Sequence, residues 1–267
     1  MQRIFTIILV LTVSGSAIFY GCNDDDRRSL NVFRVEDDIE LGEDLHQQIK
    51  EDEQYDILDR NEYPEAYEHL DRIGETILNS GEVNYKDRFD WQFHIIEDDE
   101  MLNAFAAPGG YLYFYTGLIH YLEAEYEFAG VFGHEIAHAD LRHSTERLTR
   151  AYGVSTLLDV LLGQDRTVLA DIAAQIAFLS YSRSQESEAD DYSVIYLNPT
   201  EYDGRGAARF FEKLKEEEQA GGGPQFLSSH PSPDNRVDEI QKKWEELGSQ
   251  EGDTFEDRYR DFQNSLP

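Results

Sequence analysis

Hydrophobic residues recur at helical spacing through most of the chain, whereas regular alternation with polar residues is rare. Between residues 35 and 80 the apolar positions lie on one side of otherwise acidic faces, which predicts helices. These apolar positions are Leu41, Leu45, Ile49, Leu70, Ile73 and Ile77. Residues 90–96 alternate and are rich in aromatic and β-branched side chains, so they predict a strand, and residues 111–115 predict a second one.

Helical patterns dominate after the turn predicted at residues 108–110, which read Pro-Gly-Gly. The predicted helices are 117–121, 123–146, 153–163, 167–182, 184–197, 203–219 and 234–247. The acidic stretch 246–267 is predicted to be a peripheral tail. We therefore expect an α+β fold that is predominantly α-helical, with a small β-sheet beside the helix at 123–146.

Composition indicates a globular protein and argues against negatively charged partners. Hydrophobic residues make up 40% of the 267 positions, enough for one sizeable core. The formal net charge is -32, from 55 acidic and 23 basic residues, and no basic patch stands out. Nucleic acid and anionic lipid headgroups are therefore poor partners. Such a charge suits either a salt-rich environment or an ordinary acidic secreted protein, and both interpretations stay open.

The amino terminus has the pattern of an export signal. One positive charge is followed by an apolar run at 4–20 and then by Gly21 and Cys22. This arrangement resembles a bacterial lipoprotein signal, so residues 1–21 are predicted to be the signal, Cys22 the lipidation site and 22–35 a tether. An ordinary cleaved signal and an uncleaved anchor are the alternatives. We expect an exported protein of the bacterial cell envelope that is held at the membrane by lipidated Cys22.

 Cys22 is the only cysteine of the chain, so an intrachain disulfide is excluded.

One short motif carries the chemistry. Residues 134–138 read His-Glu-Ile-Ala-His inside a helical, apolar-rich segment. On a helix, His134 and His138 lie on one face about a turn apart, so both imidazoles can reach one metal ion. Glu135 projects beside the pair, where a carboxylate can take a proton from the attacking water. The motif therefore predicts a catalytic zinc site.

A catalytic zinc site needs a third protein ligand. The metzincin pattern requires Gly and His where this chain has Leu141 and Ser144, so that class is excluded. No Glu occurs at 148–185, and the first candidate after that gap is Glu186. Asp190 follows one helical turn later on the same face, where it can orient a ligand imidazole.

Four ordered motifs together resemble metallopeptidase family forty-eight. They are His-Glu-x-x-His at 134–138, Ser-Arg-x-x-Glu-x-Glu-Ala-Asp at 182–190, Asn-Ala-Phe-Ala-x-Pro-Gly-Gly at 103–110, and His-Pro-x-x-x-x-Arg at 230–236. A Gly-Leu-Ile segment at 117–119 adds to the match. The resemblance covers roughly 35–245, and it implies a zincin-type metallopeptidase domain at 36–245.

The resemblance implies a role for each matching residue. One zinc ion would be bound by His134, His138 and Glu186, with Glu135 as general base and Asp190 supporting a ligand histidine. His230 and Arg236 would stabilise the oxyanion, and His230 has a second implied role as an extra zinc ligand in a resting state. The segment Asn103, Ala104, Phe105 and Ala106 would pair with an extended substrate backbone.

Two classes of function follow. The first is a zinc metalloendopeptidase of the cell envelope that acts on extended or misfolded proteins. The alternative is a zinc-binding chaperone or assembly factor with a latent peptidase site, against which the intact Glu135 stands. A membrane-embedded prenyl protease is disfavoured, since the apolar stretch 153–179 is interrupted by charges. The separate histidines His46, His69, His94 and His120 are interpreted as surface or core residues, and His143 as a supporting or capping residue.

Overall fold

The computed structural model describes residues 31–219, 226–231 and 235–267. The predicted signal at 1–21, the predicted lipidation site Cys22 and residues 22–30 of the tether lie outside the described residues. None of the helices in the described ranges is long and apolar enough to span a bilayer.

Two amphipathic helices occupy the region where helical periodicity was expected. Helix α1 spans Val35–Glu51 and helix α2 spans Pro64–Leu78. Helix α2 begins with proline, whose fixed φ angle and missing N–H suit the first helical position. The apolar positions predicted for both helices are buried, and this stripe is what attaches each helix to the core.

A three-stranded sheet lies beside the central helix. Strands β1 (Gln92–Ile96), β2 (Ala104–Ala107) and β3 (Tyr111–Tyr115) have the order β1-β3-β2, with β1 parallel and β2 antiparallel to β3. Strand β2 was not predicted, because all four of its side chains are buried and the alternation that reveals a half-exposed strand is missing. Gly109 and Gly110 have positive φ angles of 75° and 98° in the turn that follows.

The central helix α4 (Glu125–Asp140) follows the short helix α3 (Thr116–Tyr121) and is buried on every side. A helix that is enclosed in this way must contact neighbours all round, and α4 packs against α2, strand β2, α8 and α9. The later helices are α5 (His143–Tyr152), α6 (Val154–Leu161), α7 (Arg166–Gln175), α8 (Arg183–Leu197), α9 (Gly206–Gln219), α10 (Phe226–Ser229), α11 (Arg236–Glu246) and α12 (Glu256–Asn264).

Two predicted helices are shorter than expected. The prediction of one helix at 123–146 is wrong, because Arg142 adopts a left-handed φ of 63° and separates α4 from α5. Its guanidinium donates to Asp38 Oδ1 at 3.0 Å and to the carbonyl of Phe33 at 2.7 Å. The helix predicted at 167–182 ends at Gln175, and the chain becomes extended at Leu179. Tertiary hydrogen bonds thus override local helical propensity.

The prediction of a peripheral tail at 246–267 is also wrong. Helix α12 buries Tyr259 and Phe262, which are three residues apart and share one face. The Tyr259 hydroxyl donates to the carbonyl of Ile119 at 2.7 Å, and Phe262 packs edge-on against Phe128 of α4. The prediction failed because it rested on the acidic composition of this stretch, in which the apolar stripe of α12 is short.

A buried ion-pair network joins the same helix to the core. The Glu125 carboxylate at the start of α4 is fully buried and lies 2.6 Å from Arg72 and 2.5 Å from Arg258. The Tyr202 hydroxyl donates a further hydrogen bond to Glu125 at 2.7 Å. A carboxylate inside a protein needs this degree of compensation, so α2, α4 and α12 are held together by charge as well as by packing.

We predict that Phe262→Ala lowers the free energy of unfolding by about 3–5 kcal/mol, because it removes a fully buried ring and leaves a cavity. Urea denaturation of the metal-free protein measures the change. The matched control is Asp257→Ala on the same helix, whose side chain is 96% exposed and which should shift stability by less than about 0.5 kcal/mol. Equal effects of the two changes would contradict the packing of α12.

Candidate metal centre and active site

The central helix places its two motif histidines side by side. His134 and His138 lie on the same face of α4, with their Nε2 atoms 2.9 Å apart. Both side chains are fully buried, as is the intervening Glu135. Burial on a rigid helix holds the two imidazoles in one arrangement, which is the condition for shared metal binding.

Helix α8 brings Glu186 to the same point. The helix begins at a capping box in which Ser182 accepts from the Gln185 N–H and the Gln185 side chain bonds back to Ser182. Farther along, Ser193 Oγ donates to the carbonyl of Gly130 at 2.7 Å, so α8 lies close against α4. This packing places Glu186 Oε1 3.2 Å from His138 Nε2 and Glu186 Oε2 3.5 Å from His134 Nε2.

His230 completes the group from the far end of the chain. Its ring stacks on Phe226 of α10, with centroids 4.2 Å apart and planes inclined by 14°. Its Nδ1 atom lies 3.1 Å from Glu186 Oε1 and 3.4 Å from His134 Nε2. The structure therefore places His230 among the predicted metal-binding atoms, in keeping with the resting role that the resemblance implies.

The four side chains fit a zinc ion. One ligand atom from each of His134, His138, Glu186 and His230 lies within 4.8 Å of the others. Zinc bound tetrahedrally at about 2.0–2.1 Å separates its ligand atoms by roughly 3.3 Å, and the nearest pairs here range from 2.9 to 3.5 Å. Burial lowers the pKa of His138 well below its usual value and keeps that imidazole neutral, as a ligand must be.

Asp190 and Arg236 surround the ligands with compensating charge. Asp190 Oδ1 lies 2.9 Å from His134 Nδ1, and the Arg236 guanidinium donates to the same carboxylate at 2.7 Å. Arg236 Nη2 also lies 2.9 Å from Glu186 Oε2, without hydrogen-bond geometry. Burial by itself raises the pKa of Glu186, but the nearby His230, Arg236 and His134 hold it well below its usual range.

The predicted general base has an unusual environment. Neither carboxylate oxygen of Glu135 accepts a hydrogen bond from any described residue, although both are buried. His230 Nε2 is 3.5 Å from Glu135 Oε1. Burial raises the pKa of Glu135 above its usual value. Buried oxygens with no protein donor indicate a carboxylate whose partner is water or substrate.

The predicted substrate segment forms an edge of the sheet. Ala104, Phe105 and Ala106 belong to β2, and Asn103 precedes it, with its side-chain amide donating to the carbonyl of Ala177 at 3.0 Å. Side chains of this protein already contact the outer carbonyls of β2. The Ala106 carbonyl accepts from Ser144 Oγ at 2.9 Å, Arg147 Nη2 at 3.2 Å and Tyr181 Oη at 3.4 Å. The Ala104 carbonyl lies 3.4 Å from His230 Nε2.

Sequence reasoning missed three residues that shape the site. Tyr181 stacks on His138 with ring centroids 3.6 Å apart, and Phe226 supports His230. Arg147 is almost wholly buried, lies over the Tyr181 ring and donates to the carbonyl of Leu179 at 2.8 Å. None of these positions carries a spacing that indicates metal chemistry, so only their tertiary contacts reveal them.

Comparison with known proteins identifies the family. The model of peptidase family M48 matches residues 64–244, which include α2, the whole sheet and α4 through most of α11. The chain belongs to peptidase family M48. The predicted family and the predominantly helical α+β fold are thereby confirmed.

Several named proteases are similar to this chain in sequence. A putative beta-barrel assembly-enhancing protease of Vibrio cholerae is 31% identical over 67% of this chain and 39% of its own length. Mitochondrial metalloendopeptidase OMA1 of Schizosaccharomyces pombe is 24% identical over 89% of this chain and 72% of its own length. Metalloprotease YcaL of Escherichia coli is 30% identical over 62% of this chain and 64% of its own length.

These relatives set the level at which the function is known. The alignment spans well under half of the Vibrio protein, so the activity and partners of that whole protein do not transfer with it. The matched family and the cluster of His134, His138, Glu186 and His230 both support a metallopeptidase. Zinc and the roles of the individual site residues stay predictions.

We predict that zinc affinity rises with pH up to about pH 9. Burial alone lowers the pKa of His134, but hydrogen bonds to Asp190 and Glu186 outweigh it and raise the pKa of the metal-free residue to about 9. Below that pH, zinc must displace one proton, so the dissociation constant should fall about tenfold per pH unit. Competition with a chromophoric chelator at pH 6, 7 and 8 measures the slope.

Asp190→Asn is the control for this pH dependence. It removes the anionic partner of His134, so the pKa of that histidine should fall and the slope should flatten. A slope that is identical in both proteins would show that another group releases the proton.

Proposed function

We propose that this family M48 chain is a zinc-dependent endopeptidase of the cell envelope that cleaves extended or misfolded proteins. The observation that supports it most directly is Glu135. This carboxylate is fully buried, adjoins both metal-binding histidines and has no hydrogen-bond donor among the described residues. A chain that only binds zinc has no use for such a group.

The protein's own residues perform the proton transfers. Zinc, when held by His134, His138 and Glu186, would polarise the scissile carbonyl and lower the pKa of a water molecule. Glu135 accepts a proton from the attacking water and later delivers it to the leaving amine. Because burial raises the pKa of Glu135, the carboxylate holds that proton more firmly between the two transfers.

His230 has two proposed roles at different stages. In the described conformation it lies among the metal-binding atoms, and a fourth protein ligand would fill the position that a catalytic site keeps open. We propose that this is a resting state and that His230 leaves the ligand set when substrate arrives. His230 and Arg236 would then stabilise the oxyanion, as donors aimed at developing charge.

Substrate would bind along the outer edge of β2. An extended backbone that adds to this edge needs the carbonyls of Ala104 and Ala106, which side chains of the protein contact in the described conformation. Binding therefore requires those side chains to move, and a folded substrate has no free strand to offer. This requirement supports unfolded or extended proteins as the substrate class.

The proposed location rests on relatives and on the amino terminus. The bacterial relatives include proteins named beta-barrel assembly-enhancing protease, which supports the cell envelope as the location. The signal-like residues 1–21 and Cys22 support export and attachment to the membrane through a lipid. Nucleic acid is not a proposed partner, because the chain carries a net charge of -32.

The second candidate function is a zinc-binding chaperone or assembly factor with a latent peptidase. One observation favours it: all four metal-binding residues and Glu135 are fully buried. A resting peptidase explains the same burial and also explains Glu135, so we prefer the enzyme.

We predict that Glu135→Gln reduces cleavage of an unfolded protein by about 10²–10⁴-fold while zinc binding is retained, because only the proton-transfer group is lost. Gel analysis of casein digestion by residues 23–267, with and without chelator, measures the effect. Glu100→Gln, at an exposed position, is the matched control. Cleavage that survives in Glu135→Gln, or that chelator leaves unchanged, would contradict the proposed mechanism.

We predict that His230→Ala strengthens binding of a small hydroxamate inhibitor to the zinc-loaded protein, because the fourth ligand no longer fills the position that a catalytic site keeps open. The same change should slow casein cleavage, because one donor to the oxyanion is lost. Zinc content after dialysis distinguishes an altered rate from metal loss. Inhibitor binding no stronger than in wild type would refute the resting role, and cleavage as fast as in wild type would refute the oxyanion role.

A further inference from the structure

A chain of contacts runs from the protein surface to His138. The Nδ1 atom of His138 lies 3.1 Å from Nδ1 of His143, and His143 Nε2 lies 3.3 Å from Glu188 Oε2. The His143 side chain is 4% exposed, whereas the Glu188 side chain is 54% exposed. The contact between the two histidines is therefore buried, whereas the Glu188 carboxylate at the other end of this series of contacts lies at the surface.

The fold holds His143 firmly in this position. It is the first residue of α5, directly after the left-handed Arg142 that separates α5 from α4. The two residues that follow bind other elements: Ser144 donates to the carbonyl of Ala106, and Thr145 donates to Asp38 at 2.8 Å. The interruption of the predicted helix thus turns His143 back toward His138.

The order of donors and acceptors along this chain follows from chemistry. A carboxylate only accepts, so His143 must carry its proton on Nε2 to bond with Glu188. The Nδ1 atom of neutral His143 then carries no hydrogen, so it accepts a hydrogen bond from the N–H at Nδ1 of His138. His138 is left with an unprotonated Nε2, the atom that lies 3.2 Å from Glu186 Oε1 within the metal-binding group.

We propose that Glu188 and His143 are positioning residues that fix the tautomer and orientation of His138 for zinc. This inference rests on the proposed zinc site. Each histidine of the motif then has its own support: His134 contacts Asp190, and His138 contacts His143. Helix α8 supplies Glu186 to the metal and a carboxylate to the end of each support.

The experiment measures zinc affinity by competition with a chromophoric chelator in variants of the whole chain. His143→Ala should weaken zinc binding about 10–100-fold, as expected for loss of a partner that orients a ligand. Glu188→Gln should bind nearly as tightly as wild type, because its amide oxygen still accepts from His143. The absorption spectrum of the cobalt-substituted protein reports the ligand geometry independently.

Glu188→Lys is the most informative variant, because an ammonium group can only donate. It favours the opposite tautomer of His143, which puts a proton on His138 Nε2. Zinc binding should therefore be weaker in Glu188→Lys than in Glu188→Ala. Glu216→Lys, at an exposed position of α9, makes the same change in net charge and should leave the affinity unchanged.

The possible results separate this inference from the proposed function. Wild type that binds no zinc would overturn both. This inference alone would be overturned if wild type binds zinc tightly, His143→Ala and Glu188→Lys bind it as tightly as wild type, and the cobalt spectrum is unchanged. Thermal unfolding of the metal-free variants shows whether a loss of affinity comes from misfolding, and misfolding of His143→Ala leaves the surface variants at Glu188 to decide.

Discussion

Compensation of buried charge is the constraint on which this structure depends. Glu186, Asp190 and Arg236 meet the motif histidines where no solvent reaches them. An unpaired charge in such a place would cost several kcal/mol, so each group needs an opposite partner at close range. Arg236 contacts both Asp190 and Glu186, which couples the last part of the domain to the metal-binding helices. The site and the fold are therefore stabilised by the same contacts.

The pairing of α4 with α8 gives this site its precision. Helix α4 is enclosed on all sides, and α8 approaches it closely enough for Ser193 to bond with the carbonyl of Gly130. A Cβ atom at Gly133 would lie 3.0 Å from Ser193 Oγ, a tighter contact than usual, so glycine suits this close approach of the two helices. Ligands carried by two tightly packed helices keep their spacing, which is what metal binding and proton transfer both require.

In the described conformation the predicted metal ligands and general base lie together, but the edge of β2 beside them is covered by side chains. Phe226 and Tyr181 hold His230 and His138 by stacking, and the outer carbonyls of β2 are in contact with side chains. Arg147 connects the extended segment at Leu179 to the edge strand. Under the proposed function, an extended substrate backbone competes with these side chains for the same edge.

The sequence by itself determined the family, and it predicted His134 and His138 as a metal-binding pair with Glu135 beside them, because these depend on ordered motifs and on spacing within one helix. It also predicted Glu186, since no Glu occurs at 148–185 and Glu186 is the first one after that gap. Only the tertiary structure revealed β2, the buried face of α12 and the contact of His143 with His138. A strand buried on both faces loses its alternation, and contacts between distant segments leave no local pattern. Local periodicity records which face of a helix is buried, but the neighbours that bury it are chosen by packing of the whole chain.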